Sequence, residues 1–131
     1  MVKSTFTIDG NNFSNLSEFF EEFSRVLTPE VWWGRNLDAF NDVLRGGFGT
    51  PAEGYVLVWK NSDVSRDRLG YSQTVRELER MLSRAHPTAR SSIQKRIELA
   101  RQQEGETVFD WLVNAIRREN AKIQLVLERT H

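Results

Sequence analysis

The chain of 131 residues has no cysteine, which excludes a disulfide framework and any thiolate metal site. Its two histidines are His86, beside a proline, and His131, the last residue. Neither has the company that a catalytic triad or a histidine-built metal centre requires. No apolar run approaches the roughly 18 residues of a membrane span, and the first ten residues, MVKSTFTIDG, lack the apolar stretch that directs export. Proline is limited to three residues, and there is no low-complexity tract or internal repeat. The glycines form neither a GxGxxG after a strand nor a P-loop, so the usual phosphate cradles are missing. What is left is one domain, 1–131, expected in the cytoplasm and without a cofactor or a metal.

The formal net charge is zero, but its distribution is uneven. Residues 1–63 hold nine acidic and five basic side chains, and residues 64–131 hold nine acidic and thirteen basic. An acidic front suits a basic protein, and a basic rear suits nucleic acid. Solvated helix faces laced by ion pairs produce the same asymmetry with no functional meaning. Within 76–101 the candidate phosphate contacts are Arg90, Lys95, Arg96 and Arg101. They are interleaved with Glu77, Glu79 and Glu98, and no aromatic is placed there for base stacking. That pattern favours a salt-bridged helix pair over a nucleic-acid surface.

Residues 5–8 (TFTI) alternate polar and apolar, as a half-buried strand does, and DGNN at 9–12 supplies a turn. Asn15 and Glu18 have capping-box spacing. Leu16, Phe19, Phe20, Phe23 and Leu27 then follow the helical period up to Thr28-Pro29, where proline ends the helix. YVLVW at 55–59 is apolar at every position, as expected of a strand covered on both faces. Residues 61–70 read as a polar connector or short helical turn. Tyr71, Val75, Leu78 and Leu82 mark a further helix that stops by His86-Pro87. Another is expected over 89–103 with Ile93, Ile97 and Ala100 on one side. Thr107 and Asp110 mark the start of a last helix, and IQLVL at 123–127 reads as a final strand. Strands separated by helices predict an α/β fold built on a small parallel sheet.

The least comfortable chemistry lies in WWGRNLDAFNDVLRGG, residues 32–47. With Asn36 as cap, Leu37, Phe40 and Leu44 share the buried side of a helix. Asp38 and Asp42 then lie within about 40 degrees of each other on the outer side, with Asn41 beside them. Asp38 complements the helix dipole, and Arg35 or Arg45 is near enough to screen it. Asp42 sits toward the unfavourable C-terminal end and repels Asp38 by a few tenths of a kcal/mol. Neighbouring residues of an extended segment face opposite ways, so at most one of Trp32 and Trp33 enters the core. An exposed aromatic next to desolvatable charge is the composition of a protein-binding hot spot. The carboxylate pair has no enclosed pocket on such a face, which argues against acid–base catalysis.

WGRNLDAFNDVL, residues 33–44, resembles the signature of the barstar family, intracellular inhibitors of secreted bacterial ribonucleases. TFTIDG, SEFFEEFSRVL, YVLVW and IQLVL agree with the family's first strand, first helix, second strand and last strand. The resemblance is close over 4–64 and looser over 105–128, and 86–104 reads as an inserted segment. It implies a barstar-like, three-stranded parallel sheet packed with helices, with an added helix around 89–103, and a non-catalytic protein that plugs a basic ribonuclease or related nuclease toxin. Carried onto this chain, Asp38 and Asp42 are the acidic contacts, and Asp42 enters the enzyme's phosphate pocket. Trp32 stacks at the rim, Asn36 and Gly46 shape the contact, and Asn41 and Arg45 complete the surface. The family has aromatics at the positions of Asn41 and Gly47, with Phe48 one place on here. Its further acidic contact falls near Asn114 or Ala115. Two alternatives stand beside this reading: an immunity protein against a toxin other than a ribonuclease, and a nucleic-acid-binding or regulatory adaptor using 76–101.

Overall fold

Polar caps and apolar stripes place the elements. The computed structural model describes residues 3–131. Its elements run β1 (Ser4–Asp9), α1 (Leu16–Leu27), α2 (Leu37–Arg45), β2 (Tyr55–Lys60), α3 (Ser62–Arg68), α4 (Tyr71–Arg84), α5 (Pro87–Arg101), α6 (Val108–Arg117) and β3 (Ile123–Leu127). The three strands form one parallel sheet in the order β1-β2-β3, so each connection is a helical crossover. Phe6, Leu57 and Leu125 stand in register across it.

The caps fall where side-chain chemistry places them. Asn15 accepts from the Glu18 amide at 2.8 Å, and the Glu18 carboxylate returns to the Ser14 amide at 2.8 Å. Thr107 and Asp110 make the full reciprocal box at the start of α6. Residues 62–68, for which the sequence left a connector and a short helical turn open, form a helix, and α5 starts two residues early because Pro87 takes its first turn, where a missing N–H costs nothing.

The expectation for 55–59 needs correction. Tyr55, Leu57 and Trp59 are buried, but Val56 and Val58 on the other face are only half-buried. Thr5, Thr7 and Gln124 share that second face and are exposed. The core helices α1, α2 and α6 therefore pack on one side of the sheet, and the short apolar run did not require two covers.

Phe19, Phe20 and Phe23 of α1 meet Phe40 of α2 at ring-centroid distances of 5.5, 5.6 and 5.1 Å. Phe19 also lies 5.2 Å from Trp59 of β2. This aromatic seam fixes α2 against α1 and the sheet. A second, smaller cluster joins Leu78 of α4 to Ile93, Ile97 and Ala100 of α5. Trp111 of α6 packs against both clusters.

α1 itself carries a carboxylate, Glu22, that is buried. It accepts from the Asp9 amide at 3.0 Å, Asn12 Nδ2 at 3.0 Å and Arg25 Nη2 at 2.7 Å. Burial opposes its charge, but these donors outweigh burial and hold the carboxyl below the ordinary glutamate value.

Candidate protein-binding site on α2

Asn36 starts α2: its Oδ1 accepts from the Ala39 amide at 2.8 Å, and its Nδ2 donates to the Gly34 carbonyl at 3.3 Å. Phe40, Val43 and Leu44 are buried on the inner side, with Leu37 half-buried. Gly46 ends the helix at φ +110°, where its N–H returns to the Val43 carbonyl at 3.1 Å. A side chain is strained at that backbone angle. The Lys122 ammonium, just before β3, donates to the Arg45 carbonyl at 3.1 Å. This cation at the negative end of α2 ties the helix to a segment 77 residues away, and no local sequence signal marks it.

Asp38 and Asp42 are both exposed on the outer side of this anchored helix. Arg45 reaches Asp42 at 2.8 Å, while none of the four ion pairs among the described residues involves Asp38. The expectation that Arg45 screens Asp38, and that Asp42 lacks compensation, is therefore corrected. The i, i+3 spacing brings Arg45 to Asp42, and Arg35 turns instead toward the Trp32 ring at 6.0 Å. Side chains in the Asp42–Arg45 pair are 59% and 65% exposed, so the contact is worth no more than about 1 kcal/mol.

The two tryptophans divide as adjacent residues of an extended segment should. Trp33 is 3% exposed and donates its indole N–H to Thr28 Oγ1 at 3.0 Å. Trp32 is 76% exposed, and Val31 before it is 37% exposed. Arg35 holds φ +48°, a left-handed angle that a non-glycine residue adopts only when its surroundings enforce it. This strain lies between Trp33 and the cap of α2.

Asn41 is half-buried and lines a cleft of about 190 Å³ between α2 and α6, together with Arg45, Arg118 and Glu119. Ala115 is buried, and Asn114 is half-buried with its Nδ2 3.5 Å from Glu106. The acid that lines this cleft with Asn41 is Glu119, beyond the end of α6, a residue that sequence spacing did not single out. Gly47 has open space around its α-carbon, and Phe48 packs back against the core. Phe48 is half-buried there.

The basic residues of 76–101 are mostly occupied within the fold. Arg90 donates to the Leu82 carbonyl at 2.9 Å, Arg96 lies over the Trp111 ring at 5.2 Å, and Arg101 pairs with Glu79 at 3.2 Å. Lys95 alone of the four has no such contact among the described residues. Arg90 and Arg101 thus tie α4 to α5, and Arg96 ties α5 to α6. Among the described residues no group of three or more His, Asp or Glu side chains is arranged to hold a metal ion. No helix of the described residues is long and apolar enough to cross a membrane.

The arrangement is a short helix presented by an α/β scaffold: its inner face is packed against aromatics of the core, and its outer face carries two exposed carboxylates near an exposed indole. Residues 3–128 match the family model described as Barstar (barnase inhibitor), and the chain belongs to the barstar family. No curated protein matches it at a significant level.

Proposed function

We propose that this protein is a non-catalytic inhibitor of a basic ribonuclease, acting as an immunity protein that blocks the enzyme's active site with the outer face of α2. The observation that carries the reading is the exposed Asp38/Asp42 pair on a helix anchored at both ends, in a chain of a family described as barnase inhibitors. A ribonuclease site is built from cations to hold phosphate, so a rigid carboxylate mimics the substrate's charge. In this reading Asp42 enters the phosphate pocket, Asp38 lies beside it, and Trp32 covers the rim. Asn36 and Gly46 fix the ends of the helix, and Asn41 and Arg45 complete the contact.

Arg45 must leave Asp42, or share it, when the enzyme's cations arrive. The exposed pair is worth only about 0.2–1 kcal/mol, so giving it up takes little from the complex.

The test is inhibition of a panel of basic microbial ribonucleases, barnase included, by the wild type and by Asp42→Ala. Wild type is expected to inhibit at least one enzyme stoichiometrically. Asp42→Ala is expected to lose about 2–5 kcal/mol of affinity, roughly 30-fold or more. Its stability should move by no more than about 1 kcal/mol, because the side chain is exposed and its ion pair with Arg45 is worth no more than that. Failure to inhibit any enzyme of the panel, or equal inhibition by Asp42→Ala, overturns the proposal.

A further inference from the structure

The turn after α6 brings a second carboxylate to the end of α2. Lys122 donates its backbone N–H to the Glu119 carbonyl at 3.0 Å and its ammonium to the Arg45 carbonyl at 3.1 Å. One residue thereby ties the base of Arg45 to the turn that starts at Glu119. Between the two opens the cleft of about 190 Å³ that Arg45 and Glu119 line together. Leu44 and Ala115, both buried, make its apolar wall, and the half-buried Asn41 adds a neutral acceptor.

Arg45 therefore has a carboxylate on either side. Its Nη1 lies 2.8 Å from Asp42 Oδ1 on its own helix. Glu119, half-buried across the cleft, takes part in none of the four ion pairs among the described residues. Arg118, the other cation lining the cleft, is exposed and also outside those pairs, so it does not occupy Glu119. The Arg45 side chain is 65% exposed, and no packing holds it to one rotamer. Exposed guanidinium–carboxylate pairs are weak, so a modest bias decides which carboxylate holds the side chain.

We propose that Arg45 is a two-position switch: it holds Asp42 in the free protein and crosses the cleft to Glu119 when a partner's cation takes Asp42. The identity of that partner rests on the inhibitor reading; the exchange rests on the Asp42–Arg45 contact and the shared cleft. In its first position Arg45 masks the charge of Asp42. In its second it withdraws a cation from the path of a basic enzyme, which it would otherwise meet with like charge. Glu119 is then a positioning residue, setting affinity through Arg45 rather than by touching the enzyme.

Two measurements on the full chain test this. The first needs no partner. In Asp42→Ala the guanidinium loses its first carboxylate, and nuclear Overhauser contacts between the Arg45 Hδ and Glu119 Hγ protons are expected to appear that the wild type lacks. Contacts of equal strength in the wild type, or none in Asp42→Ala, overturn the proposal. The second is a double-mutant cycle of Arg45→Gln and Glu119→Gln, read as Kd for the most strongly inhibited ribonuclease of the panel. Glu119→Gln is expected to weaken binding about two- to fivefold more when Arg45 is present than in the Arg45→Gln background, the worth of one exposed pair. Equal weakening in both backgrounds means that Glu119 acts on the enzyme directly, and overturns the proposal. If no ribonuclease is inhibited, the inhibitor reading fails alone, and the Asp42→Ala measurement still decides the switch.

Discussion

Adjacent tryptophans with opposite duties give a sharp test of the surface. Replacing Trp33 by alanine removes an indole that is 3% exposed and lies 5.4 Å from Phe20, 6.2 Å from Phe40 and 6.3 Å from Phe23 between ring centroids. It also leaves Thr28 Oγ1 without its donor in a buried site. Truncating a buried aromatic costs about 3–5 kcal/mol through lost transfer energy and the residual cavity. For a chain of this length each kcal/mol lowers Tm by about 4 °C, so Trp33→Ala should melt roughly 10–20 °C below wild type. Trp32→Ala removes a side chain that is 76% exposed, whose contact with Arg35 lies at 6.0 Å. An exposed cation–π contact is worth about 0.5–1 kcal/mol at most, so Tm should fall by less than about 4 °C. Thermal and urea unfolding followed by far-ultraviolet circular dichroism measure both, free of the changed tryptophan fluorescence. Ribonuclease inhibition should invert the order, with Trp32→Ala impaired and Trp33→Ala retaining inhibition at temperatures where it is folded. If Trp32→Ala cost as much stability as Trp33→Ala, the division between core and surface would be wrong.

Glu22 links stability to pH. Its carboxyl is held below the ordinary value of 4.5, so its ionised form contributes stability that is fully present above that value and lost as pH falls through the lower folded one. Glu22→Gln should unfold more easily at pH 7, by about 1.5–3 kcal/mol for the lost charge-assisted bonds. It should also show a flatter stability profile below about pH 4.5; identical acid profiles would refute the assignment. Gly54 adopts φ +97° and a Cβ there would collide with the Lys122 carbonyl and backbone. Gly54→Ala should therefore cost about 2 kcal/mol or more, whereas Gly47→Ala, at φ +91° with open space, should cost only about 1 kcal/mol for its backbone angle. Chemical denaturation of the two variants distinguishes the collision from the angle.

What was legible in the sequence was whatever depends on neighbours along the chain. The caps at Asn15, Asn36 and Thr107, the stripe from Leu16 to Leu27 and the outward Asp38/Asp42 pair need only helical geometry and side-chain hydrogen bonding. The fate of Val56 and Val58 was not, because a five-residue apolar run reads alike whether its second face is covered or open. The Lys122 tether and the cleft between α2 and α6 were also hidden. They join residues that meet only after α4, α5 and the last crossover have folded, and no periodicity encodes such meetings. Arg45 illustrates the boundary between the two kinds: its choice of Asp42 is local, yet two carboxylates were in range and only the side-chain conformation in the folded protein separates them.

The same division explains why an uncomfortable charge pattern is tolerated on α2. A helix of nine residues is too short to persist by itself, so its stability comes from the surfaces it buries. Phe40, Val43 and Leu44 are buried against the α1–sheet core, at about 1.5–3 kcal/mol each. Repulsion between Asp38 and Asp42 takes back only a few tenths of a kcal/mol, and the Lys122 and Arg45 cations offset the unfavourable C-terminal position of Asp42. The inner face thus exceeds the outer-face penalty by an order of magnitude, leaving the outer residues free to be set by a partner. Anchoring has a second consequence. With Asn36 fixing one end of α2 and Lys122 the other, the carboxylates are ordered before any partner arrives. Little backbone entropy is then lost on association, which is what the proposed inhibitor role asks of a carboxylate pair standing in for a substrate's phosphates.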